Sequence, residues 1–418
     1  MNKKKVSLPF GWEVKQLAEI SEFQRGLTYS RNDTADFSNN IVLRATNISL
    51  EKSCLIFDEL KYLNDTFFVD AKKKVVKGGL LICLSSGSKD HLGKIALIDK
   101  DYDYAFGGFI GQIIPNNSIL SKYLFYNLIS SDYKKYISEL TDGININNLK
   151  TQDLKSFCIA TPSIPEQKQI VSILDKAFAA IDKAKANAEQ NLKNAKELFE
   201  SYLQEVFENK GDDWEDKTLD EVCSIGDGNY SSKYPKASEF VSEGVPFLTA
   251  TNLKEGTVIP KKMRYISELQ HSTLLKGHVK EGDLVIVVRG SSTGNNSIVP
   301  KEYENSNLNS QLAFLRIRDK KLVNNNYLFN VFNSPNIQNI VLKTISGAAQ
   351  PQLPNNKLLK IKIPIPSLKD QEQIINELES LSSQTKKLQL IYSQKIDELN
   401  ELKKSILQKA FSGELTTN

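Results

Sequence analysis

The strongest constraint in this chain is that it repeats itself once, at a spacing of about 204 residues. Self-similarity at a fixed period decides architecture before local propensity does. Trp12 and Glu13 followed by Leu17 return as Trp214 and Glu215 followed by Leu219, and Leu43-Arg44-Ala45-Thr46-Asn47 returns as Leu248-Thr249-Ala250-Thr251-Asn252. Val76 to Ile82 lines up with Val279 to Val285, and Ser86-Gly87-Ser88 with Arg289-Gly290-Ser291. Tyr123-Leu124-Phe125 becomes Tyr327-Leu328-Phe329, Gly143 with Leu149 becomes Gly347 with Leu353, and Pro162-Ser163 with Gln167 and Ile170 becomes Pro366-Ser367 with Gln371 and Ile374. One ancestral unit is used twice.

Each copy has two parts. Residues 10 to 160 and 213 to 364 are rich in β-branched and aromatic residues broken by Gly, Asn and Ser, a strand-dominated signature with some helix, as around Tyr123 to Tyr136. Residues 165 to 208 and 369 to 412 hold no Gly or Pro after their first residue and are dense in Ala, Leu, Glu, Lys and Gln, which predicts two long helices. The predicted fold class is therefore α+β: a strand-rich domain over 1–162, a helix over 163–212, a second strand-rich domain over 213–366, and a second helix with its tail over 367–418. In the first helix a 4-3 spacing picks out Ile170, Leu174, Ala177, Ile181, Ala184, Ala188, Ala195 and Leu198; in the second it picks out Leu378, Leu381, Leu388, Tyr392, Leu399, Leu402 and Ile406. That is a coiled-coil seam. Compact domains tend to keep their termini close together, so the second domain returns the chain near where it left and the helices are predicted antiparallel, with a pseudo-twofold relation between copies. Small then faces large: Ala177 with Leu399, Ala184 with Tyr392, Ala188 with Leu388. About 44 residues at ~1.5 Å each give a spacer of roughly 65 Å.

Charge follows the same division. The formal net charge is +4. Residues 1–162 carry +3 and 213–366 carry +4, whereas the helical stretches carry −2 and −1. An excess of positive charge on the globular parts has the sign expected of contact with a phosphate backbone, though it is too small to establish one. Catalytic chemistry is not written in the chain. There is no Pro-Pro of the kind a base-flipping adenine methyltransferase uses, and the nearest phosphate-loop lookalike, Gly87 to Lys94, has the wrong spacing and Ile95 in place of Ser or Thr. Cys54, Cys83, Cys158 and Cys223 are widely separated, and His91, His271 and His278 lack the spacing of a helical metal pair, so neither a disulfide framework nor a metal site is expected. No apolar run has signal-peptide or membrane-spanning length, which predicts a cytoplasmic protein with no membrane association.

The duplicated Trp-Glu-x-x-x-Leu-x-Glu motif at Trp12 and Trp214, the Pro-Ser-x-x-(Glu/Asp)-Gln-x-Gln-Ile helix start at Pro162 and Pro366, and the helix ends at Tyr202 to Phe207 and Ile406 to Thr416 resemble the specificity subunit of type I restriction-modification enzymes. The resemblance spans essentially the whole chain. It implies a non-catalytic protein whose two strand-rich domains are target recognition domains, each reading one half of a bipartite, asymmetric site in double-stranded DNA. It further implies that the helices set the gap between half-sites, and that two methyltransferase subunits and, for cleavage, two restriction and translocation subunits dock on this chain. S-adenosylmethionine, ATP and magnesium would then belong to those partners, this chain holding no cofactor, and the methylated base would be adenine. The competing reading is a repeat scaffold that binds proteins only.

The resemblance does not carry over the base-reading residues, so chemistry selects them. Base edges and phosphates are met by Arg, Lys, Asn, Gln, Ser, Thr and Tyr. Polar loops at matched places in the repeat give Arg25, Tyr29, Arg31, Asn32, Arg44, Asn47, Ser86, Ser88 and Lys89 in the first domain, and Tyr230, Ser231, Lys233, Thr249, Asn252, Arg289, Ser291 and Thr293 in the second.

Overall fold

A computed structural model of the chain describes residues 8–141, 148–230, 233–347 and 350–415. It divides into two compact units, Met1–Ala188 with Gln394–Asn418 and Glu189–Ser393. The division falls inside both long helices, Ile164–Glu208 and Leu368–Ser412, of 45 residues each.

In the first unit a four-stranded antiparallel sheet runs in the order Ser21–Arg25, Ile110–Pro115, Leu80–Cys83, Ile95–Leu97. A second sheet orders Thr34–Ala35, Lys61–Leu63, Asn40–Leu43 and Ala105–Phe106, the last pair parallel. The central strand Leu80–Cys83 is buried on both faces, as its unbroken apolar run requires. One face packs on the helices Ser121–Asn127 and Ser131–Thr141 through Leu80, Ile82, Tyr123 and Ile137; the other, with Leu81 and Cys83, packs on Leu43, Ile48 and Phe106. The second unit repeats this plan around Leu284–Val287, in a six-stranded sheet ordered Cys223–Asp227, Leu312–Ile317, Leu284–Val287, Asn296–Ile298, Gly256–Val258, Leu253–Lys254. A three-stranded sheet, Arg264–Ile266, Val245–Leu248, Asn307–Leu308, lies beside it. Leu80–Cys83 thus corresponds to Leu284–Val287, which shifts by one residue both the alignment of Val76 to Ile82 and that of Ser86 to Ser88, so that Ser85 is the counterpart of Arg289. Val75 is the buried counterpart of Val279, and Val76 is exposed.

Within the described residues, which end at Leu415, the motifs that carry the resemblance build the frame; Thr416 lies outside them. The strand Glu13–Gln16 pairs antiparallel with Cys158–Thr161, which leads into the first long helix; Glu215–Thr218 pairs with Lys362–Ile365 in the same way. Leu17 and Leu219 are fully buried just after those strands, and the Glu19 and Glu221 carboxylates accept the backbone N–H of Gln16 and Thr218. Gln167 is buried in the first turn of its helix: Oε1 accepts from Leu120 N (2.8 Å) while Nε2 donates to the carbonyls of Ser118 and Pro162 (3.1 and 2.9 Å). Gln371 makes the same three bonds, from Asn324 N and to Leu322 and Pro366. The Tyr123 and Tyr327 hydroxyls donate to the carbonyls of Ala160 and Pro364 at 2.7 and 2.8 Å, and burial pushes both well above the usual phenol range, leaving neutral donors.

The long helices pack together within each unit. In the first, Leu407 and Ala410 share a core with Ile170, Leu174 and Phe178, and Lys403 sits 4.4 Å from the Phe178 ring centre and 2.9 Å from the Asp182 carboxylate. In the second, Leu203 and Phe207 share a core with Ile374, Ile375 and Leu378, and Tyr202 donates to Glu377 at 2.8 Å. Early residues of one helix meet late residues of the other, the antiparallel sense. Ile170, Leu174, Ile181, Ala188, Ala195, Leu378 and Leu399 are buried, and Ala177, Ala184, Leu381, Tyr392 and Ile406 are half-buried. Leu198, Leu388 and Leu402 are the most exposed of the expected positions, at 49, 37 and 47%. An α-helix drifts ~20° per heptad against a strict 3.5-residue repeat, and the inward positions move on by one, to Phe199, Gln389 and Lys403. No helix among the described residues is long and apolar enough to cross a membrane.

Candidate nucleic-acid interface

In each unit the central strand ends in a loop clasped by two others. In the first, Leu84 N and Ser85 N both donate to the Phe109 carbonyl (3.0 Å each), Leu149 N donates to Leu84 O (2.7 Å), and Ser85 bridges Asn148. In the second, Val288 N and Arg289 N donate to Gln311 O (2.8 and 3.3 Å), Leu353 N donates to Val288 O (2.9 Å), and Arg289 bridges Gln352. A further segment crosses against the turn that joins Ala105–Phe106 to Ile110–Pro115, or Asn307–Leu308 to Leu312–Ile317, passing from one sheet to the other: Leu27 N donates to Phe106 O, and Asn229 N to Leu308 O. The crossing is so close that a Cβ on Gly26 would stand 2.1 Å from Gly107 O, and one on Gly228 1.7 Å from Asn309 O. Only glycine fits at either place. The backbone at this rim is thus paired and rigid, and its exposed side chains are what vary between units.

Arg25 ends the strand Ser21–Arg25, exposed, with its carbonyl held by Lys73 Nζ (2.7 Å). Tyr29 lies half-buried against Gly107; burial raises its hydroxyl pKa, and the nearby Arg44 charge opposes the shift. Arg31 and Asn32 are exposed on the short 3-10 turn Arg31–Asp33. Ser86 and Ser88 lie on the loop after the central strand, Ser86 Oγ accepting from Ser88 N, and Lys89 Nζ reaches the Thr141 carbonyl at 3.2 Å. Arg44 is half-buried, with one guanidinium nitrogen 3.5 Å from Glu59 O and a buried Nε without a partner.

In the second unit the Arg289 guanidinium carbon lies 4.8 Å from the centre of the Tyr230 ring, a cation–π contact. The Tyr230 hydroxyl bonds Asp227, whose carboxylate also accepts from Asn355 Nδ2; burial, then the Asp227 charge, raises the Tyr230 pKa. Ser291 and Lys233 are exposed, and Thr293 Oγ1 is spent on the carbonyls of Gly290 and Pro351 (2.7 and 3.1 Å). Ser231 lies outside the described residues.

Two candidates are frame rather than surface. Asn47 and Asn252 are buried; the Oδ1 atoms accept from Arg44 N and Thr249 N (2.9 Å each), and the Nδ2 groups donate to Ile56 and Glu59, or to Ile259 and Lys261. Thr249 Oγ1 adds a bond to Asn252 Oδ1. An Asn that ties a short turn to a neighbouring loop from inside looks, in sequence, like one that reads a base. Sequence reasoning passed over Gly26 and Gly228, the tip residues Phe109 and Gln311, and the bridge residues Asn148 and Gln352, all but the glycines exposed. Their signal was present, because the repeat runs on through these segments, at a spacing two residues shorter for the first four of these positions. Among the described residues no group of three His, Cys, Asp or Glu side chains is placed to hold a metal.

A family model described as the type I restriction modification DNA specificity domain matches residues 9–193 and again 211–401. The chain is 27% identical over 428 residues to the type I restriction enzyme EcoKI specificity subunit of Escherichia coli, an alignment covering 98% of this chain and 90% of that one. It is 26% identical to the StySPI specificity subunit of Salmonella potsdam, with the same coverage, and 27% identical to a putative type I specificity subunit, MjaX, of Methanocaldococcus jannaschii, covering 98% and 94%. Among solved structures, a chain from work on complex assembly and conformational transition of the type I R-M system shares the fold with a TM-score of 0.78 at 20% identity, covering 97% of this chain and 98% of that one. The HsdS subunit from Thermoanaerobacter tengcongensis does so with a TM-score of 0.63 at 21% identity, covering 99% and 100%.

Proposed function

The chain belongs to the family of type I restriction-modification DNA specificity proteins, and from that premise we propose that its two units each read one half of a split, asymmetric site in double-stranded DNA. The observation that carries this reading is the pair of clasped rims: one rigid backbone frame, used twice, dressed with different polar side chains. Ser85, Phe109 and Asn148 stand in the first where Arg289, Gln311 and Gln352 stand in the second. Identical frames with divergent exposed chemistry suit two readers of two different sequences, whereas a scaffold for identical partners has no use for the divergence. Direct readout depends on side chains held within about a hydrogen bond's reach of base edges, and a paired backbone supplies that.

In this reading the chain is a non-catalytic, cytoplasmic component. Two methyltransferase subunits that bind S-adenosylmethionine and act on adenine dock on it, as do two ATP- and magnesium-dependent restriction subunits when DNA is cleaved. The two 45-residue helices, each roughly 68 Å long at ~1.5 Å per residue, act as the ruler that sets the gap between half-sites.

Sequencing of methylated adenines, with the chain and its methyltransferase partner acting on genomic DNA, tests the proposal. A split site is expected, and exchange of residues 213–364 for those of a relative is expected to change one half of it and leave the other intact. Methylation without sequence preference, or binding to DNA that is insensitive to both salt and sequence, overturns the reading in favour of a scaffold that contacts only proteins.

A further inference from the structure

Phe109 is 72% exposed at the tip of the turn between Ala105–Phe106 and Ile110–Pro115, yet its backbone is among the best pinned at the rim. Its carbonyl takes two N–H groups, and the neighbouring turn is held by Gly107 N to Leu43 O and Ile110 N to Gly107 O. Single exposed apolar side chains are common on surfaces, but here the repeat supplies an internal control. Gln311 occupies the same position in the second unit with the same two backbone bonds, so the fold does not require an aromatic ring there. The ring is therefore available to a partner outside the chain.

The second unit's version is polar and organised. Gln311 Oε1 accepts from Asn309 Nδ2 at 3.2 Å, which fixes the amide and turns its Nε2 donor toward Gly290, where an added Cβ would meet it at 3.5 Å. Arg289, the next residue, has its guanidinium laid on Tyr230, with no carboxylate in salt-bridge distance among the described residues. A guanidinium placed over an aromatic ring beside a fixed amide donor is suited to meet the acceptors of a purine's outer edge.

Resting on the DNA-reading role proposed above, we infer that the matched positions 109 and 311, with Arg289, determine specificity and read by different chemistry. Phe109 makes an apolar contact with a thymine methyl in the major groove for the first half-site. Arg289, flanked by Gln311, takes a guanine in the second.

The experiment uses the full chain in complex with its methyltransferase partner on a duplex library randomised across both half-sites, read by sequencing methylated products. Phe109→Ala and Phe109→Gln are each expected to lower the preference for thymine at one position of one half-site by about 3- to 10-fold, the scale of a lost methyl contact. The other half-site should keep its preferences. Arg289→Ala is expected to lower the preference for guanine at one position of the opposite half-site by about 5- to 150-fold, the span of one bidentate contact. Phe109→Gln installs the residue that the second unit already carries on this backbone, so a folded variant is available, and unchanged thermal melting checks it. Uniformly slower methylation with every base preference intact overturns the inference while leaving the DNA-reading role standing. Wild-type complex without sequence preference removes both.

Discussion

The indole Nε1 of Trp12 donates a hydrogen bond to the Glu166 carboxylate at 3.0 Å, joining the start of the first strand to the first turn of the long helix across 154 residues of chain. Trp12 is nearly buried, so the bond is partly shielded from water. Trp12→Phe keeps most of the apolar contact and removes the donor. A loss of about 1 kcal/mol of stability is expected, measured by chemical denaturation, with no change in sequence preference when methylation is assayed.

Gln167 and Gln371 each satisfy three backbone groups where a helix leaves its globular part. Gln167→Ala or Gln371→Ala leaves one N–H and two carbonyls without their partner in a closed site, at about 1–3 kcal/mol for each group that water does not reach. A destabilisation of about 3 kcal/mol is expected for either, seen as a fall in denaturation midpoint. Glu166 and Asp370 lie beside these glutamines but are half-buried, and Asp370→Asn should cost far less.

Gly26 and Gly228 should not tolerate a methyl group. In both cases the obstacle is a backbone carbonyl of the turn between the two sheets, not the movable end of a side chain. Gly26→Ala and Gly228→Ala are each expected to cost about 2–3 kcal/mol and to displace the tip that carries Phe109 or Gln311. Loss of selectivity should accompany the lower melting temperature. Gly87→Ala, with open space around its Cα, is the control.

Cysteine reactivity should be sharply graded. Burial pushes the Cys223 thiol up to about 12 and raises that of Cys83 as well, which favours at both the protonated thiol, the unreactive form. Cys158 is exposed at the start of its strand and Cys54 is half-buried. Alkylation of the native protein at pH 8 should label Cys158 first and spare Cys83 and Cys223 until the protein is unfolded. Early labelling of Cys223 contradicts the packing described here.

The duplication, the α+β class and the two long helices were legible because they rest on periodicity, which is a property of the chain as a string. The buried Tyr123 and Tyr327, and the clamps Gln167 and Gln371, recur at one spacing for the same reason. The seam was legible only at first order. Leu198, Leu388 and Leu402 satisfy the 4-3 rule on paper but are 49, 37 and 47% exposed, since helical drift accumulates with length.

The rim was hidden for a different reason. Asn47 and Asn252 have the chemistry of base readers and are consumed by bonds to the backbone of neighbouring loops, whereas Phe109 has the chemistry of a core residue and stands in solvent. Residue type reports what a side chain can do; its surroundings decide what it has left to do. By itself the sequence determined that this protein is one frame built twice, because repetition and hydrophobic period survive without coordinates. Only the tertiary structure decided which loops meet at the end of each central strand. That choice depends on hydrogen bonds between segments as far apart in sequence as residues 27, 84, 109 and 149.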